Sequence, residues 1–204
     1  MTATFAGLGL HADLVAALAR QGITEPFPIQ ELTIADALAG RDVLGKAKTG
    51  SGKTLAFGLP LLGRIAKADP RKPRGLILVP TRELATQVTD ALRPLGEVRD
   101  RKVRAVYGGV SMDAQVTALQ KGVDVVVGTP GRLIDLLERK ELSLHDVEVL
   151  VVDEADRMAD MGFMPKVQKI LYGITSPHQT MLFSATLDGA VKRLVDRYMD
   201  DPVS

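Results

Sequence analysis

The sequence predicts an α/β fold built around a largely parallel β-sheet. Two observations carry that prediction. From Asp42 onward, short apolar runs alternate with amphipathic stretches of helical length, the pattern that successive strand–helix–strand units produce. Most of the runs are also β-branched or otherwise apolar with little polar alternation, as expected of strands covered on both faces.

The elements follow in order. Leu14, Val15, Leu18 and Ala19 recur at helical spacing after Asp13, and Gly22 can end that helix. Pro28 suits the start of a second helix, with an apolar face of Ile29, Leu32, Ile34, Ala35 and Leu38, closed by Gly40. Strands are predicted at Asp42–Ala47, Gly75–Val79, Val103–Tyr107, Val123–Val127, Val147–Val152 and Thr180–Ser184. Between them the spacing predicts helices at Lys53–Ala68, Arg82–Leu92, Met112–Gln120, Gly131–Arg139 and Val167–Tyr172, and a last one at Asp188–Tyr198. Pro60 is expected to bend or split its helix. Asp69–Arg74, with Pro70 and Pro73 among basic residues, reads as an exposed loop, and Ser176–Gln179 as a turn. Residues 1–40 and 41–204 form one domain on this reading, a helical N-terminal segment and the α/β core.

Composition narrows the function. Of 204 residues, 46% are hydrophobic and 25% charged, which excludes a disordered or collagenous chain. With 26 Lys plus Arg against 25 Asp plus Glu, the net charge of +1 excludes a strongly basic tail-like binder, while leaving room for a local phosphate-binding patch. Cysteine is absent, which removes disulfides, thiolate nucleophiles and cysteine zinc sites. There is no Trp, and only Phe 5 and Tyr 3, so base-stacking platforms are scarce and any nucleic-acid contact should run through backbone phosphates. Met1–Leu10 does not read as a secretory signal, and no stretch is long and apolar enough to cross a membrane. The expectation is a cytoplasmic protein. His11, His145 and His178 share no motif and are expected to cap or to be solvated; Met158, Met161, Phe163 and Met164 are expected to pack locally.

The strongest local signal is Ala47-Lys48-Thr49-Gly50-Ser51-Gly52-Lys53-Thr54, which leaves a predicted strand and enters a predicted helix. Gly50 and Gly52 let the chain curl with amide N–H groups facing inward, and the helix start adds its dipole. Lys53 can meet β- and γ-phosphates, and Thr54 can offer a hydroxyl to Mg²⁺. Ala47 stands where the strict pattern has glycine. Asp153-Glu154-Ala155-Asp156 follows the buried run Val147–Val152, so its carboxylates reach the crevice where Mg²⁺ meets nucleotide phosphate. Asp153 is the candidate to organise Mg²⁺, partly through water, and Glu154 to orient the attacking water; Lys53 and the loop amides would stabilise the transferred phosphoryl group. Arg82, Arg132 and Arg157 are available on charge alone, but none can be assigned as an arginine finger.

Together these residues resemble the first RecA-like domain of DEAD-box ATP-dependent RNA helicases, the family named for Asp153-Glu154-Ala155-Asp156, and the match runs through nearly the whole chain. Phe5, Gly22, Pro26, Pro28, Ile29 and Gln30 resemble its upstream aromatic and Q motif; the resemblance implies that Gln30 reads adenine, with Phe5 bracing it. Ile23, Phe27 and Lys48 depart from the usual aromatic, threonine and glutamine. Pro80-Thr81-Arg82, Gly108-Gly109 and Thr129-Pro130-Gly131-Arg132 resemble the family's RNA-backbone motifs, which implies that they line RNA. Ser184-Ala185-Thr186 resembles the coupling motif, implying hydroxyl bonds from Ser184 and Thr186 toward the segment ending at Asp156.

The resemblance further implies ATP and Mg²⁺ as cofactors, RNA as a partner, and a second RecA-like domain that completes the ATP site with arginines. That second domain is absent from these 204 residues, and Pro202 near the end is compatible with truncation. The reading is therefore an ATP-binding half with part of the RNA surface, weak or inactive by itself, from a bacterial cytoplasmic parent with ribonucleoprotein or RNA-processing partners. Two alternatives stay open at this point: a DNA helicase or other P-loop NTPase, and a catalytically silent RNA-binding or protein-interaction module.

Overall fold

The computed structural model describes Met1–Ser204. Six strands form one sheet: β1 (Val43–Lys46), β2 (Gly75–Leu78), β3 (Val103–Val106), β4 (Val125–Gly128), β5 (Val149–Asp153) and β6 (Gln179–Ser184). Their order is β1-β6-β5-β2-β4-β3, and every pairing is parallel. All six predicted strands are present, with ends displaced by one or two residues. Nine helices surround them: α1 (Ala12–Arg20), α2 (Pro28–Leu38), α3 (Lys53–Arg64), α4 (Arg82–Val98), α5 (Asp113–Lys121), α6 (Pro130–Glu138), α7 (Ala155–Asp160), α8 (Met164–Tyr172) and α9 (Gly189–Tyr198).

The apolar runs fill two cores at once, because successive side chains of a strand point to opposite faces. Ile77, Val125, Val127, Val149, Val151, Met181 and Phe183 join Leu14, Ile34, Phe57, Leu61 and Leu92 in one cluster. Their strand neighbours Leu76, Leu78, Val126, Leu150, Val152 and Leu182 join Leu119, Leu133, Leu136, Val167, Ile170 and Leu194 in the other. Helices α1–α4 thus cover one face, and α5, α6, α8 and α9 the second. Gly58 lets α3 and α4 approach closely, since a Cβ there would run into the Leu92 side chain.

Several boundaries differ from the sequence expectation. Pro60 neither splits nor ends α3, which stops at Arg64 where Ile65 turns extended. Helix α4 runs through Pro94 to Val98, past the predicted stop at Leu92; Leu92 and Leu95 are both fully buried, so packing outweighs the one hydrogen bond that proline removes. Helix α7 was not expected at all, and α8 begins at Met164 rather than Val167. The segment Asp69–Arg74 is not simply an exposed loop. Arg71 N–H donates to the Leu119 carbonyl at 2.8 Å, Ser143 N–H donates to the Arg71 carbonyl at 2.8 Å, and Pro73 is buried. Met161 is 44% exposed and so is not the packing residue expected, whereas Met158 is fully buried. His11 meets the Gly63 carbonyl in the last turn of α3, as a capping residue would, His178 bonds the Ser176 carbonyl inside its turn, and His145 is exposed. No helix is long and apolar enough to cross a membrane.

Candidate nucleotide site and adjoining strand-end surface

The loop between β1 and α3 owes its shape to two left-handed residues. Gly50 and Gly52 both have φ of 84°, a conformation that disfavours residues with a Cβ. At Gly52 space is also closed, since a Cβ would lie 2.5 Å from the Phe27 ring and 2.8 Å from Gln30 Nε2. Ser51 Oγ donates back to the Lys48 carbonyl at 2.6 Å, and Ala47 N–H donates to the Ser184 carbonyl at 3.0 Å, which fastens the loop to β6. Lys53 opens α3 and is 7% exposed.

Strand β5 delivers the acidic pair to the same place. Lys53 Nζ lies 3.0 Å from Asp153 Oδ1 and 3.3 Å from Glu154 Oε1. Its directed hydrogen bond goes to Glu154, so Asp153 Oδ1 stays buried with a nearby cation and no aligned donor. Thr49 Oγ1 also donates to Glu154 Oε1, at 3.2 Å, and Arg157 meets Glu154 Oε2 at 3.4 Å. Glu154 itself is left-handed, with φ 53° and ψ 49°, which costs about 1–2 kcal/mol for a residue with a Cβ. Burial pushes the Asp153 carboxyl up to about 6 from 3.8; the Lys53 ammonium opposes that rise and the Glu154 charge adds to it. A cavity of about 210 Å³ lies here, lined by Thr49, Gly50, Lys53, Thr54, Gln87, Asp153 and Glu154 among others.

The chemistry of this donor set fits a hydrated Mg²⁺ shared with phosphate. Asp153 Oδ1 and the Thr54 hydroxyl are hard oxygen donors, and Mg²⁺ takes one or two carboxylates while keeping waters and phosphate oxygens. No group of three or more His, Cys, Asp or Glu forms a cage made of protein alone.

Other sequence candidates take definite places. Gln30 is 2% exposed; its Oε1 accepts from Phe27 N–H at 2.9 Å and its Nε2 donates to the Gly52 carbonyl at 2.9 Å. It therefore latches the start of α2 onto the phosphate loop, a contact spanning residues that sequence spacing does not connect. Phe5 is buried in the core shared with α1 and α2 and does not line the cavity; Lys48 is exposed on the loop. Ser184 is fully buried and its Oγ accepts from Asp156 N–H at 3.2 Å, whereas Thr186 is exposed and is not brought to that segment by a hydrogen bond.

The remaining candidates emerge from three neighbouring strands at one level, because Leu78, Gly128 and Val106 are aligned across β2, β4 and β3. Pro80 and Thr81 lead into α4, where Thr81 Oγ1 caps the helix by accepting from Leu84 N–H at 3.3 Å. The Arg82 guanidinium sits 5.0 Å from the centre of the Tyr107 ring, a cation–π arrangement. Gly108 and Gly109 are exposed, Gly109 with φ of 82°. Thr129 precedes α6 and Pro130 begins it; a Cβ on Gly131 would lie 3.7 Å from Lys166 Nζ, so α8 brings an exposed lysine beside this turn. Arg132 differs from the rest: it is 9% exposed, with one terminal nitrogen donating to Gln115 Oε1 at 3.0 Å and the other to the Val110 carbonyl at 2.9 Å. Sequence reasoning missed Gln115, Gln87 and Lys166, which sit in amphipathic helices without any distinguishing local pattern. Larger clefts of about 490 and 460 Å³ flank β3, lined by charges of both signs; the second borders the glycine turn through Tyr107, Val110, Ser111 and Gln115.

Fold and site define a P-loop nucleotide-binding domain of the RecA-like kind: a parallel sheet, a Gly-Lys-Thr loop entering a helix, and an acidic pair on a neighbouring strand end. The DEAD/DEAH box helicase family model matches residues 27–194, and the chain belongs to that family. The DEAD-box ATP-dependent RNA helicase CshA of Streptococcus pneumoniae is 48% identical over 198 residues, 97% of this chain and 38% of that protein. The chloroplastic DEAD-box ATP-dependent RNA helicase 3A of Zea mays is 48% identical over 210 residues, 98% of this chain and 27% of that protein. Among solved structures, the RNA helicase Prp28 of Chaetomium thermophilum bound to ADP superposes with a TM-score of 0.88 at 40% identity, covering 96% of this chain and 48% of the other. The chain thus spans less than half the length of these relatives.

Proposed function

We propose that this chain is the ATP-binding half of an RNA helicase whose complete form hydrolyses ATP to open short RNA duplexes. The observation that carries the reading is the convergence of Lys53, Asp153 and Glu154 at the glycine-rich loop. On this reading the loop amides and Lys53 hold the β- and γ-phosphates, and Thr54 and Asp153 hold Mg²⁺. When bound there, Mg²⁺ would supply charge neutralisation to the phosphoryl oxygens. Lys53 is then drawn from its carboxylate partners to phosphate, which frees Glu154 to accept a hydrogen bond from the attacking water. Gln30 retains capacity for adenine, since each end of its amide has used only one hydrogen bond internally.

The strand-end surface supplies RNA contact through Pro80, Thr81, Arg82, Gly108, Gly109, Thr129, Pro130 and Gly131, chiefly to phosphates. A second RecA-like domain of a longer chain would supply the transition-state arginines. The greater length of the relatives supports that division.

The test is ADP and ATP binding by calorimetry in Mg²⁺, comparing wild type with Lys53→Ala. Wild type should bind, and the variant should lose roughly tenfold or more in affinity through loss of a charge-assisted contact. Equal affinity in a variant shown to be folded by circular dichroism would overturn the assignment.

A further inference from the structure

The turn that follows β3 offers backbone donors to solvent. Gly108, Gly109, Val110 and Ser111 are all exposed, and none of their N–H groups donates to an acceptor within the protein. Neither glycine has anything within 4 Å of where a Cβ would stand. Such a run of unbonded amides in exposed residues suits an anion, provided that the turn keeps its shape.

That shape is held from behind by two buried side chains. Gln115, on the inner side of α5, is 5% exposed; its Nε2 donates to the Tyr107 carbonyl at 3.1 Å and its Oε1 accepts from Arg132 at 3.0 Å. Arg132 in turn donates to the Val110 carbonyl at 2.9 Å. The two side chains therefore grip both ends of the turn, Tyr107 before the glycines and Val110 after them, and are bonded to each other. Arg82 stacks on the same Tyr107.

We infer that Gln115 and Arg132 are positioning residues that preset the Tyr107–Val110 turn to receive an RNA phosphate on its free amides, and that Arg132 acts through the turn rather than by touching RNA. The inference rests on the proposal that this surface meets RNA, and it moves Arg132 from a contact to a brace. The burial supports this: Arg132 is 9% exposed, its two terminal nitrogens are each directed to a protein acceptor, and its Nε is buried away from solvent. Gln115 is suited to the task because its amide both donates and accepts, joining a carbonyl to a guanidinium. A carboxylate would keep the guanidinium and lose the carbonyl.

The experiment uses nuclear magnetic resonance on this chain, with a single-stranded decauridylate RNA as probe. In wild type the amide signals of Gly108 and Gly109 should shift on titration, and ¹⁵N relaxation should report an ordered turn. Gln115→Ala should lower the order parameters of residues 108–111 toward the flexible range, below about 0.6. It should also weaken RNA binding roughly tenfold, since ordering the turn must then be supplied by binding. ADP affinity should not change. Gln115→Glu is the conservative partner if the alanine variant fails to fold: it should loosen the Tyr107 end while leaving Arg132 paired. Unchanged loop order and unchanged RNA affinity in either folded variant would overturn the brace while leaving the RNA surface standing. Wild-type glycine signals that ignore RNA would remove the RNA reading of this turn, and the brace's function with it.

Discussion

A buried carboxyl whose proton is held too tightly should leave a pH signature on the stability of the metal-free chain. Asp153 is 1% exposed and titrates at about 6 rather than 3.8, with burial as the leading cause, against the pull of Lys53. Between those two values the folded chain keeps a proton that the unfolded chain has released. The folded state binds more protons there, so stability falls as pH rises through the window; below it both states are protonated, and above it both are ionised. At roughly 1.4 kcal/mol per pH step the loss is on the order of 3 kcal/mol, a substantial share of a domain's total of about 5–15 kcal/mol. Asp153→Asn keeps the shape and removes the titration. Urea unfolding in chelator, from pH 4 to 7.5, should show the asparagine variant gaining about 1–3 kcal/mol on wild type across the window and holding that gain above it. Carboxylates remote from Asp153 cancel in this difference. A difference that stays flat with pH, or that moves in favour of wild type as pH rises, would refute the reasoning.

Three other outcomes follow from the same geometry. Gln30→Ala removes the latch on the Gly52 carbonyl and the proposed adenine contact together, so competition binding should show loss of ATP-over-GTP preference with weaker binding of both; an unchanged preference would remove Gln30 from base reading. The chain by itself should show little RNA-stimulated ATP turnover beside a two-domain parent, because a missing arginine finger is worth on the order of 10³- to 10⁵-fold in P-loop hydrolases; steady-state ATPase of both, with and without RNA, decides it. Gly58→Ala should push α3 from Leu92 and cost about 1–3 kcal/mol in urea, whereas an unchanged midpoint would mean that Leu92 turns aside freely.

The central strands β2, β4 and most of β5 were legible because they are continuous apolar runs, and the structure shows why: alternate residues such as Ile77 and Leu76 belong to different cores, whereas Lys46 and Arg104 interrupt β1 and β3 at the sheet edges. The helix ends were less legible. Helix α4 passes Pro94 because Leu95 is fully buried beyond it, a fact about tertiary packing that local propensity does not contain. Helix α7 has six residues, too few for a period to emerge, and begins inside an acidic motif that reads as a strand end. At the nucleotide site, Lys53, Asp153 and Glu154 could be found because their chemistry sits in short contiguous motifs. What could not be found are bonds between distant segments: Thr49 to Glu154, Gln30 to Gly52, Gln115 to Arg132. Each joins residue types that are also common on solvated helix faces and loops, so nothing in the string marks them.

Strand order separates the two surfaces and also limits how they can communicate. The phosphate loop, the acidic pair and Ser184 issue from β1, β5 and β6, while the glycine turn and the strand-end residues with Arg82 and Arg132 issue from β2, β4 and β3. The division falls between β5 and β2, which are paired in register from Gly75↔Val149 to Leu78↔Val152. Helix α4, entered from β2, crosses it. Its Leu84, Gln87 and Val88 line the nucleotide cavity, and its first residue, Arg82, stacks on Tyr107 at the head of the braced turn. A shift of the first turns of α4 necessarily moves a wall of the cavity and the partner of Tyr107 together. Thr81 fixes where that helix starts, through its cap on Leu84. Arg82 and Val88 lie less than two turns apart on α4, so the placement of the helix start bears on the cavity wall and on the partner of Tyr107 together.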